Sequence, residues 1–171
     1  CELNTVLCHK GYLTPEYNGH HALGSTYVKD DLSTEYRQSE QDKNLATHYQ
    51  SLAQCRWAQE VVGKAEGRAA VRCSSPDHLP LVGALADISK QKTELNDLYK
   101  ALPLNYYPKG SDVENLYMLT GLGSRGLTTA PLMAELLASQ ISGQPLPMAN
   151  NLLNTLNPNR FLIRQLIRRE I

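Results

Sequence analysis

Residues 115–141 read NLYMLTGLGSRGLTTAPLMAELLASQI and join three local patterns without interruption. The first part, Asn115–Thr120, is mainly apolar and predicts a β-strand. Three glycines follow at once and predict a turn. The apolar residues of Leu127–Ile141 then recur at helical spacing, which predicts an α-helix that ends at Gly143.

The glycines at positions 121, 123 and 126 spell G-x-G-x-x-G, a fingerprint of dinucleotide binding. That fingerprint usually opens a βαβ unit with an acidic residue at the end of a second strand, about 20 residues further on. Here a turn over Ser142–Pro147 and more helix follow instead. Two interpretations stay open. The backbone N–H groups of the first helical turn bind an anionic ligand, or the glycines only connect a strand to a helix.

The composition bounds the class of protein. The 171 residues are enough for about one domain with a sizeable core. The 17 basic and 17 acidic residues cancel, so no global basic field indicates a nucleic-acid or membrane binder. No apolar run reaches the ~20 residues of a membrane span, and no signal peptide is visible. We therefore expect a cytoplasmic protein without a membrane partner. Because position 1 is not Met, we also expect a piece of a longer chain.

The cysteines indicate neither a disulfide framework nor a metal site. They are scattered without a C-x-x-C pair, at Cys1, Cys8, Cys55 and Cys73. The histidines near them add no spacing that is typical of zinc ligands. We expect reduced structural cysteines and no bound metal.

The first 56 residues predict a small sheet followed by a helix. The strands are predicted over Leu3–Cys8 and His21–Val28, with turns at Gly11–Pro15 and Asn18–Gly19. Ser39 is a good N-cap residue and predicts a helix over residues 40–56.

The remaining segments predict two strands, a loop and a last helix. Ala69–Cys73 and Leu79–Gly83 have strand composition. Residues 86–110 predict a long surface loop with one short helix at Thr93–Lys100. Asn157 and Pro158 predict the cap and the first residue of the last helix.

Two of these segments resemble a known superfamily. Leu119–Pro131, followed by Ala134–Ala138, resembles the closing FAD-binding motif of the D-amino-acid-oxidase/glycine-oxidase superfamily. Val71–Gly83, VRCSSPDHLPLVG, resembles its R-x-x-x-x-D-x-x-P-x-x-G strand pair. The resemblance spans almost the whole chain and is weakest over residues 29–60 and 86–110.

Within the superfamily, several motifs are similar to the flavin-dependent half of bacterial tRNA-modifying enzymes. These are Gly11–Pro15, His20–His21, Asp77–Pro80, Gly123–Leu127 and Leu156–Arg160. The resemblance implies an α+β fold, in which an antiparallel substrate-domain sheet segment is joined to the C-terminal part of an FAD-binding, glutathione-reductase-like domain. The implied boundaries are 1–68 for the substrate-domain segment with one helix, 69–147 for the FAD-binding portion and 148–171 for a helical tail.

The resemblance also implies an activity. FAD oxidises the carboxymethylated amine of 5-carboxymethylaminomethyl-(2-thio)uridine at the tRNA wobble position, water releases glyoxylate, and the 5-aminomethyl form remains. A methyltransferase half of the parent polypeptide then methylates that amine. Because the N-terminal Rossmann unit is missing, we expect this chain alone to bind FAD weakly or not at all and to be inactive. Its implied partners are tRNA and the rest of the same polypeptide, including the Rossmann unit and the methyltransferase domain.

The resemblance assigns the site residues. The implied cofactor-binding residues are Gly121, Leu122, Gly123, Ser124, Arg125, Gly126 and Leu127. Arg72 and Arg125 stand where related enzymes place carboxylate-binding arginines, and Tyr12 is expected in the substrate site. No residue is assigned a catalytic role, because in this superfamily the cofactor carries the redox step.

Structural alternatives stay open for each of these residues. Arg72 is also typical of an exposed strand, Arg125 of a turn cap, and Tyr12 of packing at a strand end. His78 is expected to hydrogen-bond backbone after Asp77.

Two other functions stay open as well. The first is a glycine- or sarcosine-type amine oxidase of the same superfamily. The second is a non-catalytic tRNA-docking module. Its basis is the arginines of the last helix: Arg160, Arg164, Arg168 and Arg169. On an amphipathic helix these predict a solvated face, and the alternative is contact with tRNA phosphates.

Overall fold

The computed structural model describes residues 3–63 and 66–171. They form two compact units, one ending at Val71 and one running from Arg72 to Ile171. Both units combine helices with a small antiparallel sheet, in agreement with an α+β fold. Among the helices described, none is both long and apolar enough to cross a membrane.

The first unit opens with a three-stranded antiparallel sheet in sequential order. Its strands are β1 (Leu7–Cys8), β2 (Tyr12–Leu13) and β3 (Leu23–Gly24). The predicted meander is present, but the strands expected over Leu3–Cys8 and His21–Val28 are only two residues long. The prediction of a turn over Gly11–Pro15 is wrong at its centre, where β2 pairs with both neighbours. Burial of Leu13, which is 2% exposed, outweighs the local turn preference.

The helix of this unit, α1 (Gln38–Ser51), begins two residues earlier than predicted and ends five residues earlier. The N-cap position belongs to Arg37, whose side chain makes no capping hydrogen bond, so the prediction of Ser39 as the cap is wrong. Side chains stabilise the earlier start. The Gln38 amide accepts a hydrogen bond from the Tyr36 hydroxyl at 2.9 Å and donates one to Asp42 at 2.8 Å.

Two histidines form a chain of hydrogen bonds inside the first unit. His48 of α1 is fully buried, with Nε2 3.1 Å from the Ala58 carbonyl and Nδ1 3.4 Å from Nε2 of His9. The Gly11 N–H donates to Nδ1 of His9 at 3.0 Å. Because the Ala58 carbonyl only accepts, Nε2 of His48 carries a hydrogen. Because Nδ1 of His9 accepts from Gly11, the hydrogen of the neutral His9 ring is on Nε2, which donates to Nδ1 of His48. Both imidazoles are therefore neutral in this arrangement.

The second unit consists of two strands and four helices, with short 3-10 turns between them. They are β4 (Leu81–Ala86), α2 (Ile88–Glu94), β5 (Asp112–Thr120), α3 (Gly126–Ser142), α4 (Asn150–Leu156) and α5 (Arg160–Arg168). The antiparallel pair β4–β5 has a bulge between Ala84 and Ala86. Its core joins Val82 of β4 to Leu136 of α3 and Leu156 of α4. As predicted, α3 ends at Gly143, which has a φ of 68°.

Two further predicted elements differ from the structure. The strand over Ala69–Cys73 is not formed, because that segment finds no strand to pair with and makes one bridge at its end, between Ser74 and Leu122. The helix over Thr93–Lys100 is split, since α2 ends at Glu94 and a separate 3-10 turn follows at Leu98–Lys100.

The start of α5 also differs, because Asn157 and Pro158 precede it. Oδ1 of Asn157 accepts a hydrogen bond from the Asn159 N–H at 2.8 Å, which forms a turn before the helix. Oδ1 of Asn159 in turn accepts from the Ala86 N–H of β4 at 2.8 Å. These contacts move the first helical residue to Arg160.

Three of the cysteines, Cys8, Cys55 and Cys73, are free thiols. The fourth, Cys1, lies outside the described residues.

The neutral histidine pair predicts loss of stability in mild acid. Burial has the largest effect and lowers the pKa of His48. The hydrogen bond to the Ala58 carbonyl raises this pKa by less, and His9 lowers it slightly further. The unfolded chain takes up this proton below about pH 6.5 and the folded chain does so only at lower pH. Within that window the free energy of unfolding should fall by up to about 1.4 kcal/mol for each pH unit. Fluorescence of Trp57, the single tryptophan, measures it, because Trp57 precedes Ala58.

Two variants separate this effect from general acid sensitivity. In His48→Gln the extra loss between pH 7.5 and 5.5 should disappear, although the variant is less stable at pH 7.5. In His20→Gln, a matched change at an exposed histidine, the loss should persist. Equal unfolding midpoints of the unsubstituted chain at both pH values would contradict the neutral arrangement.

Candidate functional site

The glycine turn connects β5 directly to α3. Gly121 and Gly123 have φ values of 69° and 59°, in the left-handed region that side chains other than glycine adopt only with strain. The chain then passes through a 3-10 turn at Gly123–Arg125 into α3. At Gly123 no heavy atom lies within 4 Å of the position that a Cβ would occupy. A ligand can therefore approach the backbone closely at this point.

The N-terminus of α3 is accessible and positively polarised. The first N–H groups of a helix have no partner within the helix, and no side chain caps this one. Ser124 and Arg125 are exposed, and Leu127 is 99% exposed. The site thus combines backbone donors, the positive end of a 17-residue helix and one apolar side chain. This combination suits a ligand that has both an anionic and a flat apolar part.

The loop before β4 packs against the same turn. Ser74 forms a β-bridge with Leu122. A Cβ on Gly121 would lie 3.7 Å from the Ser75 nitrogen and 3.9 Å from the Leu79 oxygen. Arg72 is exposed and lies two residues before the bridge. The structure therefore brings the Arg72 segment beside the glycine turn that carries Arg125.

A buried arginine holds this loop in place. The Nε and Nη2 groups of Arg160 donate to the two carboxylate oxygens of Asp77 at 2.9 and 2.7 Å. The remaining N–H groups donate to the carbonyls of Leu79 at 3.0 Å, Pro80 at 3.1 Å and Asn157 at 3.2 Å. The side chain of Arg160 is 4% exposed, and all five of its donors have acceptors. The prediction that Arg160 belongs to a solvated helix face is therefore wrong.

Asp77 is ionised in this arrangement. The Arg160 hydrogen bonds hold the pKa of this carboxyl far below its usual range, with smaller help from the Ser75 hydroxyl and the Leu79 N–H. Asp77 also faces Arg164, whose Nη1 lies 3.5 Å from Oδ2. The stability that Asp77 contributes is complete above its ordinary pKa of about 4 and is lost only as the pH falls through the lower folded value.

The other predicted site residues belong to the first unit or have backbone roles. Tyr12 belongs to the first unit, where it pairs with Gly24 and is 38% exposed. His21 bonds the Thr14 carbonyl through Nδ1 at 2.8 Å. The backbone N–H of His78 donates to the Ser75 carbonyl at 3.0 Å. The assignment of Tyr12 to a substrate site stays a prediction.

Sequence reasoning missed the role of Arg160, because its partner is 83 positions away. No local pattern distinguishes this arginine from its exposed neighbours. It also missed Ser75, whose buried hydroxyl lies 2.9 Å from Oδ1 of Asp77 and 2.6 Å from the Leu79 carbonyl. Within residues 3–63 and 66–171, no group of three or more His, Cys, Asp or Glu side chains could hold a metal ion.

Comparison with known proteins places the chain among flavoproteins. Residues 2–140 match the family model "FAD dependent oxidoreductase". The chain is 86% identical over 170 residues to the tRNA 5-methylaminomethyl-2-thiouridine biosynthesis bifunctional protein MnmC of Pseudoalteromonas atlantica, covering 99% of this chain and 24% of that protein.

Two further relatives carry the same name. The protein of Aeromonas hydrophila is 43% identical over 172 residues, which cover 98% of this chain and 25% of the relative. The protein of Vibrio cholerae is 42% identical over 171 residues, which cover 96% and 24%. The chain thus spans about a quarter of the length of the curated relatives it matches.

Removal of the buried arginine should destabilise the second unit. Arg160→Met leaves the Asp77 carboxylate and three carbonyls without their donor, and we expect a loss of about 3–5 kcal/mol in the free energy of unfolding. Arg168→Met is the matched control, because that side chain is 68% exposed, and it should change stability by less than about 0.5 kcal/mol. Urea unfolding followed by far-UV circular dichroism measures both. Equal midpoints for the two variants would refute the structural role of Arg160.

Proposed function

The chain belongs to the family of FAD-dependent oxidoreductases, and on this premise we propose that it is part of a flavoenzyme that oxidises a carboxymethylated amine on the wobble uridine of tRNA. The observation that carries the proposal is the open backbone at Gly123. There the helix N-terminus and an exposed leucine offer a surface for a flavin.

The glycine turn fits the isoalloxazine part of FAD. In the proposal, the backbone of Gly121–Leu127 holds the cofactor, and the N–H groups at the start of α3 stabilise negative charge on its polar edge. Leu127 supplies an apolar contact. A flavin held there would supply the oxidant for the carbon between the amine and the carboxylate of the substrate, and hydrolysis of the substrate imine would yield glyoxylate and the aminomethyl uridine.

Arginines orient the substrate in this proposal. The carboxymethyl group ends in a carboxylate, which a guanidinium binds through two parallel hydrogen bonds. Arg72 and Arg125 are the proposed partners, since the Ser74–Leu122 bridge brings their segments side by side. Tyr12 of the first unit is proposed to line the substrate site. Held at its carboxylate, the amine keeps one orientation towards the cofactor, which lowers the entropic part of the barrier.

The relatives support the choice of substrate. Their printed name states that they act in tRNA 5-methylaminomethyl-2-thiouridine biosynthesis and are bifunctional. We extend this to the present chain as part of a longer cytoplasmic polypeptide, which also contains a Rossmann unit for the ADP half of FAD and a methyltransferase domain. In that polypeptide, residues 1–68 belong to the substrate domain, 69–147 to the FAD-binding domain and 148–171 to a helical tail.

Two glycines that flank α3 test the flavin site. Gly123 and Gly143 both have positive φ values and no heavy atom within 4 Å of a Cβ position. Alanine at either position should cost a similar backbone strain of about 1 kcal/mol. Only Gly123→Ala puts a methyl group where the flavin would approach, so we expect FAD affinity to fall at least about tenfold there and to stay unchanged in Gly143→Ala.

The measurement is a titration of FAD, followed by its visible absorption, in the full-length polypeptide. Equal affinity in the two variants would remove the glycine turn from the cofactor site. Failure of the unsubstituted polypeptide to retain flavin would overturn the proposed function itself.

The arginine assignment makes a separate prediction. Arg72→Ala should reduce glyoxylate release from carboxymethylaminomethyl-tRNA at least about a hundredfold, because one bidentate contact is lost in the transition state. The flavin spectrum and tRNA binding should persist. Arg56→Ala, at an exposed arginine of the first unit, is the control and should keep full turnover. Turnover of Arg72→Ala equal to that control would contradict the assignment, and preferential oxidation of glycine or sarcosine would identify a small-molecule oxidase instead.

A further inference from the structure

Basic residues are concentrated in two segments of the second unit. Residues 98–109 and 160–171 are 24 of the 171 residues, yet they hold six of the 17 Lys and Arg and one of the 17 Asp and Glu. The remainder of the chain is correspondingly acidic. A neutral chain therefore carries a locally positive region.

The structure brings these two segments together. The 3-10 turn at Leu98–Lys100 packs against α5. The guanidinium of Arg169 lies 4.5 Å from the centroid of the Tyr99 ring, within the range of a cation–π contact. The end of α5 and the turn at Leu98–Lys100 are thus neighbours on the surface, and residues 101–109 continue the chain from that turn.

Hydrogen bonds hold the loop in shape. The Tyr107 hydroxyl accepts from the Leu102 N–H at 2.8 Å and lies 3.3 Å from the Asp97 carbonyl. At the base of the loop, the Glu94 carboxylate accepts from the N–H and the hydroxyl of Ser111 at 2.8 and 2.6 Å. The side chains of the loop are therefore displayed on an ordered backbone, which lowers the entropic cost of binding.

We name four exposed cations of these segments the basic patch: Lys100, Lys109, Arg168 and Arg169. Arg160 is excluded, because it is buried against Asp77, and Arg164 is excluded, because it faces the same carboxylate at 3.5 Å. Two ion pairs exist within or beside the patch, Lys100 with Asp97 at 2.8 Å and Arg168 with Glu170 at 3.7 Å. Both are exposed pairs, which contribute about 0–1 kcal/mol, so a polyanion can compete for the cations.

Exposed aromatic and apolar side chains lie in the same loop as Lys100 and Lys109. Tyr106 is 70% exposed and Leu104 is 87% exposed, both in the same loop. Rings beside cations are the surfaces on which unpaired bases stack. A membrane is the weaker candidate, because Leu166 of α5 is buried and is not available to insert into lipid.

We propose that the basic patch and Tyr106 bind an RNA loop, with the four cations on its phosphates and the ring of Tyr106 against an unpaired base. The inference rests on the proposed function, since the wobble uridine lies in such a loop. It adds a docking surface to the residues that contact cofactor and substrate. Because phosphate contacts carry no sequence information, the patch positions the RNA and does not select the base.

The test measures tRNA binding by the full-length polypeptide as a function of salt concentration. Each phosphate contact contributes about 0.7–0.9 to the slope of log K against log salt. The double variant Arg168→Gln/Arg169→Gln should therefore lose about 1.4–1.8 from that slope and bind at least about tenfold more weakly at 0.1 M salt. Arg56→Gln/Arg68→Gln, the same change at two exposed arginines of the first unit, should leave affinity and slope unchanged.

Tyr106→Ala separates stacking from charge. It should weaken binding severalfold without a change in slope. An unchanged slope in the Arg168/Arg169 variant would overturn the RNA surface, as would binding of the patch to vesicles of anionic lipid in preference to tRNA. Flavin absorption recorded on the same samples distinguishes the two proposals. If flavin is retained and the Arg168/Arg169 variant has the same salt slope as the unsubstituted polypeptide, only the docking surface is refuted. If the variant has the smaller slope but no sample retains flavin, only the oxidoreductase proposal is refuted.

Discussion

The second unit depends on one buried ion pair. Arg160 donates all its N–H groups to the Asp77 carboxylate and three backbone carbonyls, so both its position and its orientation are determined. A buried guanidinium is stable only if every donor is satisfied. The loop that supplies most of these acceptors is therefore held in place by a side chain of α5. That loop in turn lies against Gly121, so the last helix of the chain shapes the surroundings of the glycine turn.

The glycine turn is the part of the molecule that backbone chemistry explains most fully. Two residues with positive φ allow the chain to leave a strand and enter a helix without any side chain in between. The consequence is an exposed helix N-terminus, whose N–H groups and dipole favour a negatively charged partner. A flavin site in an FAD-dependent oxidoreductase needs this chemistry, because the cofactor performs the redox step and the protein supplies orientation and charge.

The first unit shows how histidines act as structural residues. His48 and His9 satisfy each other and two backbone groups, which leaves no acceptor for a further proton. Burial lowers the pKa of His48 by more than its hydrogen bond to the Ala58 carbonyl raises it, so burial keeps this imidazole neutral. In the second unit the opposite solution is used, because Asp77 and Arg160 are both charged and paired. Each unit thus meets the cost of a buried polar group in its own way.

The sequence by itself determined the strand–glycine–helix unit, the meander at the start and the family. Apolar periodicity and glycine spacing are local properties, and they survive in any context that buries the apolar face. Tertiary structure decided the rest. β2 replaced a turn because Leu13 is buried, α5 began at Arg160 because Asn159 binds β4, and the strand over Ala69–Cys73 is absent because it found no partner. The role of Arg160 depended on Asp77, 83 positions away. Such contacts have no local signature, since their free energy arises only when the folded chain removes both groups from water.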